Sequence, residues 1–513
     1  MSQKITLNVP LNRVEGDLEV RAEVEDGVVT NAWCSGTMYR GIENALIGRG
    51  ALDGLVITPR ICGICSTGHL IAAARALEMI AQVEPPPDAL RARNVALMVE
   101  HVQSDVRQSF LTFSADFAVP AYRNRPMFEE AVRRYEPFKG DTAIEVIRET
   151  KHLIEIIAIL GGQWPHSSFV VPGGIVSIPT VADLLQCQLL LRQFRHWYER
   201  RVLGCAIERW LDVRNAGELD AWLEEREAHY TSDLGFFIRF AQAIGLDKVG
   251  RGHGAFLSYG SFDLPAETRA GAPTAGARLI PAGFARGLQV HAFDQSKVAE
   301  HVAHSWYVDY DGGRHPFDGE TQPWGPGVPQ QKYSWGKAPR YDGLAAETGP
   351  LAEMIIAGNP LYIGLISRGG PSAFVRQLAR LTRPCTLIPA METWLGEASK
   401  GGKYYASPGE IIDGEGFGLM EVTRGALGHW VRVQDGTIRH YQIITPTAWN
   451  ASPRDRNGVR GPMEEALVGA CISDVSNPVE LGHIVRSFDP CLVCTVHTVR
   501  RGQTLGNVAV GAP

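Results

Sequence analysis

Two Cys-x-x-Cys pairs stand near opposite ends of this chain: Cys62-Gly63-Ile64-Cys65, followed by His69, and Cys491-Leu492-Val493-Cys494, followed by His497. Each spacing lets two thiolates converge on one metal, and the pairs together describe a four-thiolate site. Their first cysteines are 429 positions apart. A chain that closes such a site folds as one body and returns its C-terminal region to its N-terminal one. Zinc ribbons space their pairs about 15–20 residues apart, because a local loop staples a local knuckle. Tetrahedral sulfur sites read as zinc or iron–sulfur, and neither pair sits in a thioredoxin-like unit. The cysteines alone leave the metal open.

Composition narrows the class. With 513 residues, 45% hydrophobic and 21% charged, the chain has the balance of an ordinary globular protein. A net charge of −6 and no long basic run argue against nucleic acid as a partner. Cys34, Cys187, Cys205, Cys385 and Cys471 are scattered, as reduced core thiols are in a reducing compartment. No apolar signal segment follows Met1, and no stretch approaches the roughly 20 apolar residues of a membrane span. The expected placement is cytoplasmic, or at a membrane through partners.

Residues 4–33 alternate apolar and polar around Glu25-Asp26-Gly27 and predict a β-hairpin. Helical periodicity predicts long helices over 87–117, closed by Asp116, over 142–160, over 180–203 with Thr180 as N-cap, and over 218–244. The apolar residues of 142–160 nearly surround it, so it is expected to be buried on most sides. Residues 250–345 suggest short strands and loops with one helix over 296–307. Helices follow over 351–357 and 371–381, and strands over 414–446. The expectation is one α+β body around a bundle of long helices with peripheral β-hairpins, the two cysteine motifs meeting at its centre.

The motifs between the cysteines carry a resemblance. Arg13-Val14-Glu15-Gly16, Arg40-Gly41-Ile42-Glu43, Arg60-Ile61-Cys62-Gly63-Ile64-Cys65 with His69, and Lys337-Ala338-Pro339-Arg340-Tyr341 come first. Thr423-Arg424-Gly425-Ala426-Leu427-Gly428-His429, Pro446-Thr447 with Trp449-Asn450, and Asp489-Pro490-Cys491 with Cys494 and His497 complete the series. In this order they resemble the large, catalytic subunit of nickel–iron hydrogenases over nearly the whole chain. The stretch 102–208 is most similar to the cyanobacterial-type uptake branch (group 2).

The resemblance implies the following roles. Nickel is held by Cys62, Cys65, Cys491 and Cys494, and Cys65 and Cys494 bridge to an iron carrying carbon monoxide and two cyanides. Soft thiolates suit a nickel that changes oxidation state. Cys491 is a first base, Glu15 takes the proton toward solvent, and Arg424 hangs over the open metal position, held by Asp116 and Asp489. Thr447 hydrogen-bonds a cyanide. Glu43, the Ile443 carbonyl and His497 bind magnesium or a similar divalent ion. His69 and His101 fit core or supporting hydrogen bonding better than ligation. Thr423 departs from the family, in which proline or alanine is common beside the arginine. Residues 498–513 match a tail that a maturation endopeptidase removes after His497. The implied reaction interconverts H2 with protons and electrons, and an iron–sulfur small subunit is the implied partner. Two rivals stand beside this reading: a hydrogen sensor with the same site, and a zinc-stapled structural protein.

Overall fold

The Ser66–Ala81 helix lies against the Gly414–Val422 strand. Glycine makes the approach possible: a Cβ on Gly418 would stand 1.9 Å from the Ala72 carbonyl oxygen, and one on Gly416 2.0 Å from that of Ala76. At the other end, Gly68 packs beneath Val422. The two elements therefore run antiparallel, and the end of the strand, leading into Thr423 and Arg424, comes over the start of the helix. Cys65 is the residue before that helix's first turn. The strand continues as an antiparallel meander through Gly425–Gln434 and Thr437–Ile444, which carries Ile443.

This computed structural model describes residues 4–265, 277–324, 331–398 and 402–495; the side chains of Cys494 and Thr495 lie outside the described residues, as do His497 and the expected tail 498–513. Within it the chain forms one α+β body. The Pro87–Arg107 helix is buried along almost its whole length, packed by Asp141–Gly161 and Pro384–Glu397. It continues in tighter and wider turns to Ala118 and so carries Asp116. Thr180 caps Val181–Trp197 in a reciprocal box with Asp183, as its position predicts.

The N-terminal region differs from the expected hairpin. It is a three-stranded antiparallel sheet, Lys4–Leu11, Leu18–Glu25 and Val28–Gly36, that packs on the Pro462–Leu467 and Val479–Ser487 helices. The connection from Asn12 to Asp17 leaves the ladder and pairs with the far end of the chain: the Glu15 N–H donates to the Pro490 carbonyl at 3.3 Å, and the Leu492 N–H to that of Glu15 at 2.6 Å.

Three other expectations are corrected. The helix over 218–244 is three helices, Ala216–Glu225, Glu227–Thr231 and Asp233–Ala243, because Arg226 and Ser232 take extended backbone conformations. The helix over 296–307 is a single tight turn, Gln295–Lys297, and a strand, Val298–His301, in which Val298 and Glu300 point inward by alternation. The Asp141–Gly161 helix leaves Ile144 and Ile147 exposed. It rests on neighbours along one side only.

Candidate metal centre

Both ends of the chain meet at the cysteines. The Cys62 and Cys491 sulfurs lie 3.6 Å apart, as thiols, and both are buried. A disulfide would hold them at about 2.05 Å. Two sulfurs bonded at about 2.3 Å to one tetrahedral ion would stand about 3.8 Å apart, close to the observed separation. The Ile64 N–H donates to Cys62 Sγ at 3.3 Å, and the Cys491 backbone is held by its N–H donating to Thr447 Oγ1 at 2.9 Å. Cys65 stands at the N-terminal boundary of the 16-residue Ser66–Ala81 helix, whose positive end favours a thiolate. The Cys494 backbone follows within the short Leu492–Thr495 helix.

The Arg424 guanidinium faces these thiols. Its Nε lies 3.2 Å from Asp489 Oδ2, and its NH1 donates to the Thr423 hydroxyl at 3.3 Å. Burial works against its charge, but Asp489 and, as thiolates, Cys491, Cys62 and Cys65 more than offset that cost. Thr423, which departs from the family's motif, therefore supplies an acceptor to the site arginine. A bidentate Arg383–Asp105 pair at 2.8 Å places a further donor on the Thr423 carbonyl at 2.7 Å and anchors the strand end beneath.

Glu15 stands at the edge of the cluster, open to solvent on one side. Partial burial, Cys62 and Asp489 raise its pKa, while Arg424 lowers it. Cys491 is tied to Glu15 through the backbone. Glu15, Arg424, Asp489, Gln103 and Trp164 line a cavity of about 330 Å³. Larger hollows, of about 390, 640 and 830 Å³, are lined by other residues.

Asp116 is corrected. Its carboxylate is taken by Arg13 and, at 2.6 Å, by Arg486, and Asp489 is the ion-pair partner of Arg424. The turn that ends the Pro87–Arg107 helix carries Asp116 toward the Asn12–Arg13 segment rather than toward the strand end. Glu43 is buried beside Ile443: its Oε1 accepts from the Ile443 N–H at 2.8 Å and from Gln442 Nε2 at 2.6 Å, and its Oε2 accepts from the Thr321 hydroxyl. His69 Nδ1 meets His429 Nε2 at 3.0 Å, and His429 Nδ1 meets the Tyr441 hydroxyl at 2.9 Å. Burial pushes the His69 pKa down to about 4, which keeps its ring neutral. His101 Nδ1 contacts the Leu97 carbonyl of its own helix, a core bond.

Comparison with known proteins decides the family. The family model described as nickel-dependent hydrogenase matches residues 40–117 and 142–497. The chain belongs to the nickel-dependent hydrogenases. It is a hydrogenase large subunit, an oxidoreductase. It is 31% identical over 535 residues to the periplasmic [NiFeSe] hydrogenase large subunit of Desulfomicrobium baculatum, covering 97% of this chain and 95% of that protein. The Hydrogenase-2 large chain of Escherichia coli K12 is 27% identical over 574 residues, covering 97% and 98%. The H2-activated Desulfomicrobium baculatum [NiFeSe] hydrogenase structure superposes with a TM-score of 0.82 at 29% identity, covering 97% of this chain and all of that one.

The hydrogenase large subunit fits its family's metals by the chemistry of its donors: buried soft thiols at metal-bridging separation, a fixed cation above them and a carboxylate at the rim. The Desulfomicrobium baculatum protein is named for selenium; this chain has cysteine at all four positions of its two Cys-x-x-Cys pairs. Sequence reasoning missed Glu100, which accepts the Thr67 and Gly68 N–H groups at 2.9 and 3.1 Å and so caps the helix behind Cys65. Burial pushes its pKa up to about 7, while those bonds and one from Trp164 pull it down. A carboxylate after the apolar run Leu97–Val99, within a helix, is the signal that marks it.

Proposed function

We propose that this chain is the catalytic large subunit of an uptake hydrogenase of the cyanobacterial-type branch, running H2 ⇌ 2 H+ + 2 e−. The observation that carries the reading is the meeting of Cys62, Cys65 and Cys491 beside one buried guanidinium, Arg424, with Glu15 at the solvent edge. Cys62, Cys65, Cys491 and Cys494 would hold nickel, with Cys65 and Cys494 shared by an iron carrying one carbon monoxide and two cyanides. Glu43, the Ile443 carbonyl and His497 would hold magnesium or a similar divalent ion. The bound centre would supply a soft-ligand, redox-active metal pair able to polarise H–H and accept its electrons.

The chain's own residues do the rest. Arg424 presents a fixed positive charge in a buried site, where it acts more strongly than in water. The proton leaves from a sulfur of the Cys62–Cys491 pair and passes to the Glu15 carboxylate, whose raised pKa suits acceptance and release. Thr447 accepts from the Cys491 N–H and keeps its own O–H proton to donate to an iron ligand. Electrons leave through a small partner subunit bearing iron–sulfur clusters, since the remaining cysteines are scattered along the sequence. Removal of 498–513 after His497 by a maturation endopeptidase, and a cytoplasmic place or one at a membrane through partners, complete the proposal.

Glu15→Gln tests it. In the purified complex, H2-driven dye reduction should fall at least about 100-fold, with nickel and iron content at the wild-type level. Wild-type turnover in that variant would remove Glu15 from the proton path.

A further inference from the structure

Asp116 is 1% exposed, in the turn beyond the Pro87–Arg107 helix. Each of its oxygens takes one guanidinium, Arg13 on Oδ1 and Arg486 on Oδ2. Arg486 reaches on to Asn12, donating to its carbonyl at 2.8 Å and to its Oδ1 at 2.6 Å. Arg13 NH1 also contacts the Thr112 carbonyl at 3.4 Å. One carboxylate thereby holds Asn12 and Arg13, the residues that lead to Glu15.

The backbone needs holding there. Arg13 has φ +53°, a left-handed conformation that costs a non-glycine residue on the order of 1–3 kcal/mol and persists where its surroundings impose it. Beyond Glu15, Gly16 has φ +83°, and a Cβ there would meet the Val493 nitrogen at 2.8 Å. The segment is fastened at two points: by the Asp116 clamp upstream, and by the pairing of Glu15 with the loop around Cys491. The third group facing Asp116 is His483, its Nδ1 at 4.0 Å and kept neutral by burial. The two arginines are the cationic partners of Asp116.

On the reading of Glu15 as proton acceptor, we propose that Asp116 is a positioning residue, which through Arg13 and Arg486 fixes residues 12–16 and sets the Glu15 carboxylate against the cysteine cluster. The test uses the holoenzyme with its partner subunit, comparing wild type with Asp116→Asn. If that variant does not accumulate, Arg13→Gln, at a side chain 21% exposed, removes one arm of the clamp. Amide hydrogen exchange at Glu15 and Leu492 should speed up roughly tenfold or more. The kcat for H2 oxidation should fall about 10- to 100-fold, as a misplaced proton acceptor predicts, with the KM for H2 and the infrared bands of the metal centre unchanged. Unchanged exchange at those amides, or faster exchange at full kcat, would overturn the proposal. Wild-type turnover in a parallel Glu15→Gln variant would instead overturn the reading of Glu15, and the exchange rates would still decide whether Asp116 holds the segment.

Discussion

Glu464 lies completely buried beneath the N-terminal sheet. Its Oε1 accepts the Cys34 N–H at 3.0 Å and the Tyr333 hydroxyl at 2.8 Å, and Arg454 Nε stands 3.8 Å from its other oxygen. Burial pushes its pKa from 4.5 up to about 7, against the pull of those partners. The folded state therefore binds the proton more tightly than the unfolded one. The stability from this group is full below about pH 4.5 and is lost as pH rises through about 7. At about 1.4 kcal/mol per pKa unit the swing is on the order of 3 kcal/mol. Glu464→Gln should flatten the slope, read as urea midpoints at about pH 5 and about pH 8; an unchanged slope would place the titration elsewhere. At this scale a motif names residues that the fold brings together, as with Cys62, Cys65, Glu15 and Arg424 at one cluster. It fails where a partner is distant: Asp116 binds side chains 103 and 370 positions away, which no spacing announces.

Among the elements, the contact between the Ser66–Ala81 helix and the Gly414–Val422 strand sets the site, because it brings Cys65 beside Arg424. Gly418→Ala places a methyl 1.9 Å from the Ala72 carbonyl. Separating helix and strand to admit it should cost about 1–3 kcal/mol and loosen the metal site with it. Denaturant unfolding and metal content check this; a variant of unchanged stability would show that the contact has slack. The strands over 414–446 are legible from alternation, and Thr180 from its capping chemistry. The break of 218–244 at Ser232 carries an N-cap signal, with the Ser232 side chain accepting from Gly235, that helical periodicity masks. The Pro384–Glu397 helix is hidden by Pro389 in its interior, although Pro384 at its first position is compatible with a helix start.

The molecule as a whole is organised by closure. Cys62 and Cys491 meet across 429 positions, the N-terminal sheet rests on the C-terminal helices, and Glu15 pairs with the loop that carries Cys491. The cysteine spacing alone implies this closure, since a four-thiolate site cannot form otherwise. It does not name the metal, because zinc and nickel accept the same four sulfurs and differ in what else they bind. The central claim is that these thiolates hold a nickel–iron pair that reacts with hydrogen. An infrared spectrum of the processed protein with its partner, before and after exposure to H2, tests it most directly, because carbon monoxide and cyanide on iron absorb where a protein is nearly silent. Bands present in that window and shifted by hydrogen are the predicted result. Their absence from protein produced with ample nickel, with zinc bound by the four cysteines instead, would contradict it.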